Sequence, residues 1–339
     1  MPVAIKIAWR TRFLDHPLAY KQHPQPTPYL GGAAVIAAAV PAALMLGGAD
    51  SQVAWILGGT VLMAIVGTID DRRMLGPLIR ILVEAALAAG LWAIGLGWSA
   101  FNSDFASLAL TIVWIVGLVN AFNLLDNLDG ATGTVGMVCA VGAGTVALVY
   151  GGPPTAALAF ALSGACAGFL IYNLSRPSRI FLGDGGSMPI GFAVAAVLMA
   201  VSRDVGGLGA GAVVAVAPLV GLPILDTTLV MVSRARRGAP LLSGGCDHLT
   251  HRLLGVLGTT RLVAVALAVS QLALCAPGLT LLGAGATAVI ATGIAYIVLG
   301  CAAIVVLDLS QSLRPDATRS VEPPAAAMVV APSHQESVP

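Results

Sequence analysis

The sequence predicts an all-α fold, a polytopic membrane bundle of about ten transmembrane helices. Three observations carry that prediction. Hydrophobic residues make up 58% of the 339 positions and charged ones only 10%, against about 25% charge in a soluble domain. Apolar runs recur at close to the ~20 residues that a bilayer-crossing helix needs. The basic residues, finally, gather in alternate loops.

Residues 1–29 are mixed and basic (Lys6, Arg10, Arg12, Lys21) and lack the apolar stretch of a signal peptide. Ten apolar segments follow, at 30–48, 52–69, 77–98, 107–125, 131–150, 154–173, 186–202, 208–233, 260–283 and 286–308, and make one transmembrane domain, 30–308. Residues 309–339, rich in Pro, Ala and Ser, read as a disordered tail. If every segment crosses, the N-terminus, the tail and the loops after segments two, four, six and eight share one face. That face holds every Lys and Arg except Arg203, so the positive-inside rule makes it cytoplasmic. A net charge of +1 gives no reason to expect nucleic acid. The five cysteines (139, 166, 246, 275, 301) lie mostly in apolar runs without paired spacing, and read as small buried residues rather than disulfides or metal ligands.

The polar motifs collect on the same face. The first loop runs from Asp15 through Lys21 and His23 to Gly31-Gly32, and the second from Asp70-Asp71 to Pro77. The third is Asn120 to Gly130, in which Asn120, Asn123 and Asn127 fall on one helical face and Asp126 and Asp129 project together. The fourth spans Asn173 to Ser187 around Asp184, and the fifth runs from Asp226 through Arg234–Arg237 to His248, His251 and Arg252. Polarity at a membrane boundary is costly unless it binds something.

Asp70, Asp71, Asp126, Asp129 and Asp184 offer hard oxygen ligands without thiolates, which suits Mg²⁺, with Mn²⁺ as the alternative. The glycines around Asp184 precede a helix, where backbone N–H groups favour an anion, and the basic residues of the first and fifth loops suit phosphate oxygens. A metal, phosphates and a membrane together suggest phosphoryl transfer to or from a lipid. Each feature also has a plainer reading. Asp126 is a helix cap, Gly183–Gly186 a turn, Glu84 a group paired inside the bundle, Asp226 a brace for a helix break, and His248 with His251 interfacial residues.

In combination these motifs resemble the polyprenyl-phosphate N-acetylhexosamine-1-phosphate transferases, which are glycosyltransferases of family 4, over about residues 15–255. The residues that carry the likeness are Asp15-His16-Pro17, Lys21, His23, Pro26-Thr27-Pro28, Asp70-Asp71, Asn120, Asn123, Asp126, Asp129-Gly130, Asn173, Phe181 to Ser187, Leu222 to Asp226, and Asp247 to Arg252. Pro26 to Gly32 and His248-Leu-Thr-His251 look closer to the GlcNAc-1-phosphate branch than to the muramoyl-pentapeptide branch. The resemblance implies transfer of a HexNAc-1-phosphate from a UDP-sugar to undecaprenyl or decaprenyl phosphate, with release of UMP, in a bacterial plasma membrane and with the active site cytoplasmic. It implies Asp70, Asp71, Asp184, His248 and His251 as catalytic, with Asp184, Asp126 and Asp71 holding the metal. Lys21, His23, Asn120, Asn123, Asp126, Asp129, Asn173 and Arg252 would bind substrate, and a homodimer is compatible with the family.

Some positions depart from the family's pattern. Residues 1–14 hold no counterpart of the membrane helix that usually precedes the first motif, Asn127 stands where Gly is usual, and Thr250 where His is frequent. The competing expectations are the muramoyl-pentapeptide branch, an intramembrane prenyltransferase, whose Asp-x-x-x-Asp spacing is not seen here, and a secondary transporter, which would place its acidic groups near the bilayer midplane.

Overall fold

The computed structural model describes residues 1–16, 25–48, 50–204, 209–241, 245–281 and 284–312. Lys21, His23 and most of the tail, from residue 313, lie outside the described residues.

The chain opens with helix α1 (Pro2–Thr11), then a two-residue antiparallel pair, β1 (Leu14–Asp15) with β2 (Thr27–Pro28). Next come α2 (Gly31–Gly47), α3 (Ser51–Arg73), α4 (Pro77–Ala93), α5 (Asp104–Leu125), α6 (Ala131–Val146), which continues as a π turn to Gly151, and α7 (Pro153–Asn173). They are followed by α8 (Asp184–Asp204), α9 (Gly211–Val216), a 3-10 turn, α10 (Gly221–Arg237), α11 (Leu249–Leu257), α12 (Thr260–Leu281) and α13 (Ala286–Ser312). Each apolar segment read from the sequence is thus helical, with α9 and α10 sharing the eighth. Among the described residues eight stretches are long and apolar enough to cross a membrane; α2 is apolar but shorter, and α4, with 17 residues, carries Arg80 and Glu84. The protein is an all-α, multi-pass membrane bundle.

Helix ends follow local chemistry. The Asp50 carboxylate accepts the Val53 N–H (2.7 Å) at the start of α3, and the Ser103 hydroxyl caps α5. Proline occupies the first turn of α4 and α7, where its missing N–H costs nothing. The α9–α10 break leaves carbonyls and an N–H without helical partners. Buried Gln271 of α12 takes them up, donating to the Pro218 and Leu219 carbonyls (3.1 Å each) and accepting from Leu222 N (3.0 Å). Asp226, expected to brace this break, is engaged elsewhere.

Helix α8 is the axis of the bundle, buried throughout from Gly185 to Ser202, whereas α13 is largely exposed. Small residues let neighbours approach its backbone. A Cβ on Gly67 of α3 would lie 2.2 Å from the Asp184 carbonyl oxygen, and one on Gly32 of α2 would lie 2.1 Å from Gly186 N. The first turn of α8 is therefore wedged between α2 and α3. This contact sets the position of Asp184.

Three cysteines (139, 166, 275) are buried as expected, but Cys246 and Cys301 are exposed.

Candidate active site

A cavity of about 680 Å³ opens at one end of the bundle, within the usual ~300–1,000 Å³ of ligand sites. Its wall takes residues from all five polar loops, among them Asp15 and Tyr29, Asp71, Asp126 and Asp129, Asn173 and Arg176, Asp184, and His251. The scattered motifs thus meet in one place.

Asp184, the first residue of α8, is held from two sides. Asn123 donates to Oδ1 (2.6 Å) and Arg80 to Oδ2 (3.0 Å), and the same Arg80 nitrogen also reaches Asp70 Oδ2 (2.8 Å). Asp70 is buried and receives the Leu75 N–H as well. It faces Arg80 and not the cavity.

Asp71 accepts the backbone N–H groups of Asp184 (2.9 Å) and Gly185 (3.0 Å). These are the donors whose place at a helix start favours an anion. The anion at this helix N-terminus is a side chain from α3, set there by the close α3–α8 packing. Asp71 caps α8 across the bundle.

Asn120 and Asn123 share a helical face yet act differently. Asn120 donates to Glu84 (2.6 Å) and to the Val116 carbonyl (2.9 Å). It lies one turn deeper than Asn123; neither side chain is on the cavity wall, and Asn123 reaches the site through Asp184. Buried Asn173 straps two loops together, accepting from Gly130 N (2.6 Å) and donating to Asp129 (3.2 Å) and the Ile180 carbonyl (3.0 Å).

The fifth loop is braced by its own charges. Asp247 receives a two-pronged contact from Arg234 (2.9 and 2.8 Å) and a third bond from Arg237 (2.7 Å), and Arg236 pairs with Asp308. Arg252, expected on substrate, donates to the carbonyls of Asp247 and Leu307. These cations hold α10, α11 and α13 together instead of lining the cavity. Among the described residues, Arg176 and His251 are the basic side chains on its wall. Asp226 contacts His248 Nδ1 (2.8 Å) and accepts the Leu249 N–H (2.6 Å), so a single buried carboxylate fixes His248 and the start of α11. His248 is buried behind His251, their rings 6.4 Å apart.

The cavity is strongly negative. Asp126 is held well above the usual carboxylate pKa by burial, then by Asp184, Asp71 and Asp129. The Tyr29 hydroxyl is raised by burial and by Asp15, Asp71, Asp126 and Asp184. Among the described residues no three His, Cys, Asp or Glu side chains stand close enough to enclose a metal ion. The donor set nonetheless fits a hard divalent cation. Mg²⁺ takes one or two carboxylates and fills its shell with water and substrate phosphate, and the field that raises Asp126 is one a cation relieves.

Comparison with known proteins follows the same residues. The model of glycosyl transferase family 4 matches residues 53–202, the span from α3 through most of α8. A decaprenyl-phosphate N-acetylglucosaminephosphotransferase of Mycolicibacterium smegmatis is 32% identical over 289 residues, covering 74% of this chain and 70% of that protein. The chain belongs to glycosyl transferase family 4. A probable undecaprenyl-phosphate N-acetylglucosaminyl 1-phosphate transferase of Bacillus subtilis is 27% identical over 75% of this chain and 73% of its own length. An undecaprenyl-phosphate alpha-N-acetylglucosaminyl 1-phosphate transferase of Yersinia pestis is 28% identical over 80% and 78%. Within this family 4 chain, the cavity residues Asp71, Asp126, Asp129, Asn173 and Asp184 all fall inside the matched segment, while His251 lies beyond it.

Sequence reading missed three residues that shape the site: Arg80, Asp226 as the His248 partner, and Tyr29. Arg80 reads as one more positive-inside charge, since its partner Asp184 is 104 positions away.

Proposed function

We propose that this protein transfers N-acetylglucosamine-1-phosphate, or a related HexNAc-1-phosphate, from a UDP-sugar to a polyprenyl phosphate at the cytoplasmic face of a bacterial plasma membrane. The observation that carries the reading is the convergence of Asp126, Asp129 and Asp184 with Arg176 and His251 on one cavity at a bundle end. The relatives, each named as a polyprenyl-phosphate GlcNAc-phosphate transferase, supply the substrate class. They favour it over a prenyltransferase or a transporter.

In this reading an oxygen of the lipid phosphate forms a bond to the β-phosphorus of the UDP-sugar. The bond from that phosphorus to the bridging oxygen breaks, and UMP leaves with the electron pair. Asp184 and Asp126 would hold Mg²⁺, which supplies charge neutralisation at the diphosphate. Arg80 and Asn123 fix the Asp184 carboxylate, and Asp71 fixes the helix turn that carries it. Asn173 and Asp129 set the rim on which the nucleotide rests. Arg176 and His251 face the phosphates, and neutral His251 can take or hold a proton there.

The test is direct. Purified protein in detergent receives UDP-GlcNAc, decaprenyl phosphate and Mg²⁺, and is assayed for UMP and a lipid-linked sugar diphosphate. UDP-GalNAc and a UDP-muramoyl-pentapeptide are supplied in parallel. Turnover of the muramoyl donor alone would replace this reading with the other branch.

A further inference from the structure

Helix α1 has an inner and an outer face. Met1, Ala4 and Ile5 pack on the core and Ala8 is fully buried, a spacing that lines one side of a helix. The opposite side carries Lys6 and Arg10 one turn apart, with Val3 and Ile7 on one flank and Trp9 on the other, all exposed. Arg12 takes the left-handed conformation (φ 54°) that ends the helix, and the chain then turns Phe13 inward. The Arg72 guanidinium, at the end of α3, lies 5.6 Å over the Phe13 ring. The ends of α1 and α3 therefore meet, and exposed Arg72 and Arg73 extend the basic surface of Arg10 and Arg12. Asp15 and Asp71, close in sequence to Arg12 and Arg72, line the cavity, so this patch stands beside it at the same end of the bundle.

The charge of the patch is of one sign and unspent. The other cations of this end are engaged inside the protein, Arg80 by Asp70 and Asp184, Arg234 and Arg237 by Asp247, Arg236 by Asp308, and Arg252 by two carbonyls. Among the described residues, no carboxylate pairs with Lys6, Arg10, Arg12, Arg72 or Arg73. Five clustered cations without an acidic partner call for an anion from outside. The exposed Val3, Ile7 and Trp9 beside them select what kind. Aliphatic and indole side chains interleaved with Lys and Arg suit the boundary between head groups and acyl chains, and a bilayer surrounds this bundle.

We propose that the outer face of α1, together with Arg72 and Arg73, docks on anionic phospholipid head groups of the adjacent leaflet, with Ile7 and Trp9 reaching the acyl boundary. Docking there would hold from the membrane side the segment that follows, in which β1 and β2 bring Asp15 and, after β2, Tyr29 to the cavity wall. The Phe13 and Tyr29 rings, 5.7 Å apart, join the two. The inference goes beyond the transfer reaction and does not depend on it.

Two measurements on the full chain test it, and neither needs turnover. In detergent, phosphatidylglycerol and phosphatidylcholine are titrated onto the protein and bound lipid is counted by native mass spectrometry. Phosphatidylglycerol should bind more tightly, and more weakly as salt is raised. Each cation removed should weaken it about fivefold, so Lys6→Gln/Arg10→Gln should lose about twenty-five-fold. The charge-matched control Arg179→Gln/Arg261→Gln should lose little. In nanodiscs carrying dibrominated phosphatidylglycerol, the Trp9 signal, taken as the difference between the parent and Trp9→Phe, should be quenched, and less so in Lys6→Gln/Arg10→Gln. Equal affinity for the two phospholipids, an equal loss in the control, or an unquenched Trp9 overturns the assignment. Patch-dependent binding of decaprenyl phosphate but not of phosphatidylglycerol overturns it as well, because the patch would then be a substrate contact.

Discussion

The Thr250 hydroxyl donates to the Asn127 side-chain oxygen, and the Asn127 amide in turn donates to the Leu124 carbonyl (2.7 Å). These are two positions at which the sequence departs from the family's pattern, and they lie 123 residues apart. Their contact joins the Asp126–Asp129 loop to α11, which carries His251. Two departures that looked independent form one latch across the cavity.

The latch should therefore couple energetically. Asn127→Ala and Thr250→Val should each lower kcat/KM about five- to tenfold, the net worth of about 1 kcal/mol for one hydrogen bond. The double variant should be no worse than the poorer single one. A double-mutant cycle on kcat/KM checks this; additive losses would mean that the two residues act separately.

Arg80 is the cation between buried Asp70 and half-exposed Asp184. Arg80→Gln strands the Asp70 charge, so the protein should lose roughly 3 kcal/mol of stability and most of its activity. Thermal unfolding in detergent reports the first and UMP release the second. Replacing Asp70 by Asn in the same background should recover part of the unfolding temperature without recovering turnover.

How much of this was visible beforehand differs by scale. The ten helical segments were, because an apolar run of about 20 residues has few alternatives in a membrane protein. The cavity's address was legible too, since polar residues such as Asp126 and Asp184 are rare here and fall in alternate loops. The pairings were not. Asn120 and Asn123 are equivalent by spacing, and only the packing of α4 against α5 gives one of them to Glu84. The fifth-loop arginines read as phosphate ligands because nothing local shows that Asp247 and Asp308 are in reach. Helix α1 escaped notice since ten residues of mixed polarity carry no long apolar run.

Asp247 gives a stability signature in acid. Burial alone would raise its pKa, but the bonds from Arg234 and Arg237 outweigh this and bring it down to about 2. A depressed carboxylate contributes stability that is present above its ordinary value near 4 and lost as pH falls through about 2. Asp247→Asn should cost ~2 kcal/mol at neutral pH, and the gap to the parent should close between pH 4 and 2. Unfolding measured across that range checks the sign.

His251 is lowered below its usual 6.5 by burial and by the neighbouring His248. Its ring is neutral at physiological pH, and a rate that depends on the neutral form should fall only as pH drops below about 6.5. His248→Gln removes the opposing neighbour, so the acid limb of kcat/KM should move upward in pH. A downward move or no move would take His251 out of the proton-handling role.

Exchange of labelled UMP into UDP-GlcNAc tests the central claim most directly, because it requires the transfer to run in both directions at one site. The account predicts exchange that needs both polyprenyl phosphate and Mg²⁺, and that is lost in Asp184→Asn and Asp126→Asn with the fold retained. Exchange that proceeds without the lipid phosphate, or that survives undiminished in Asp184→Asn, would contradict it.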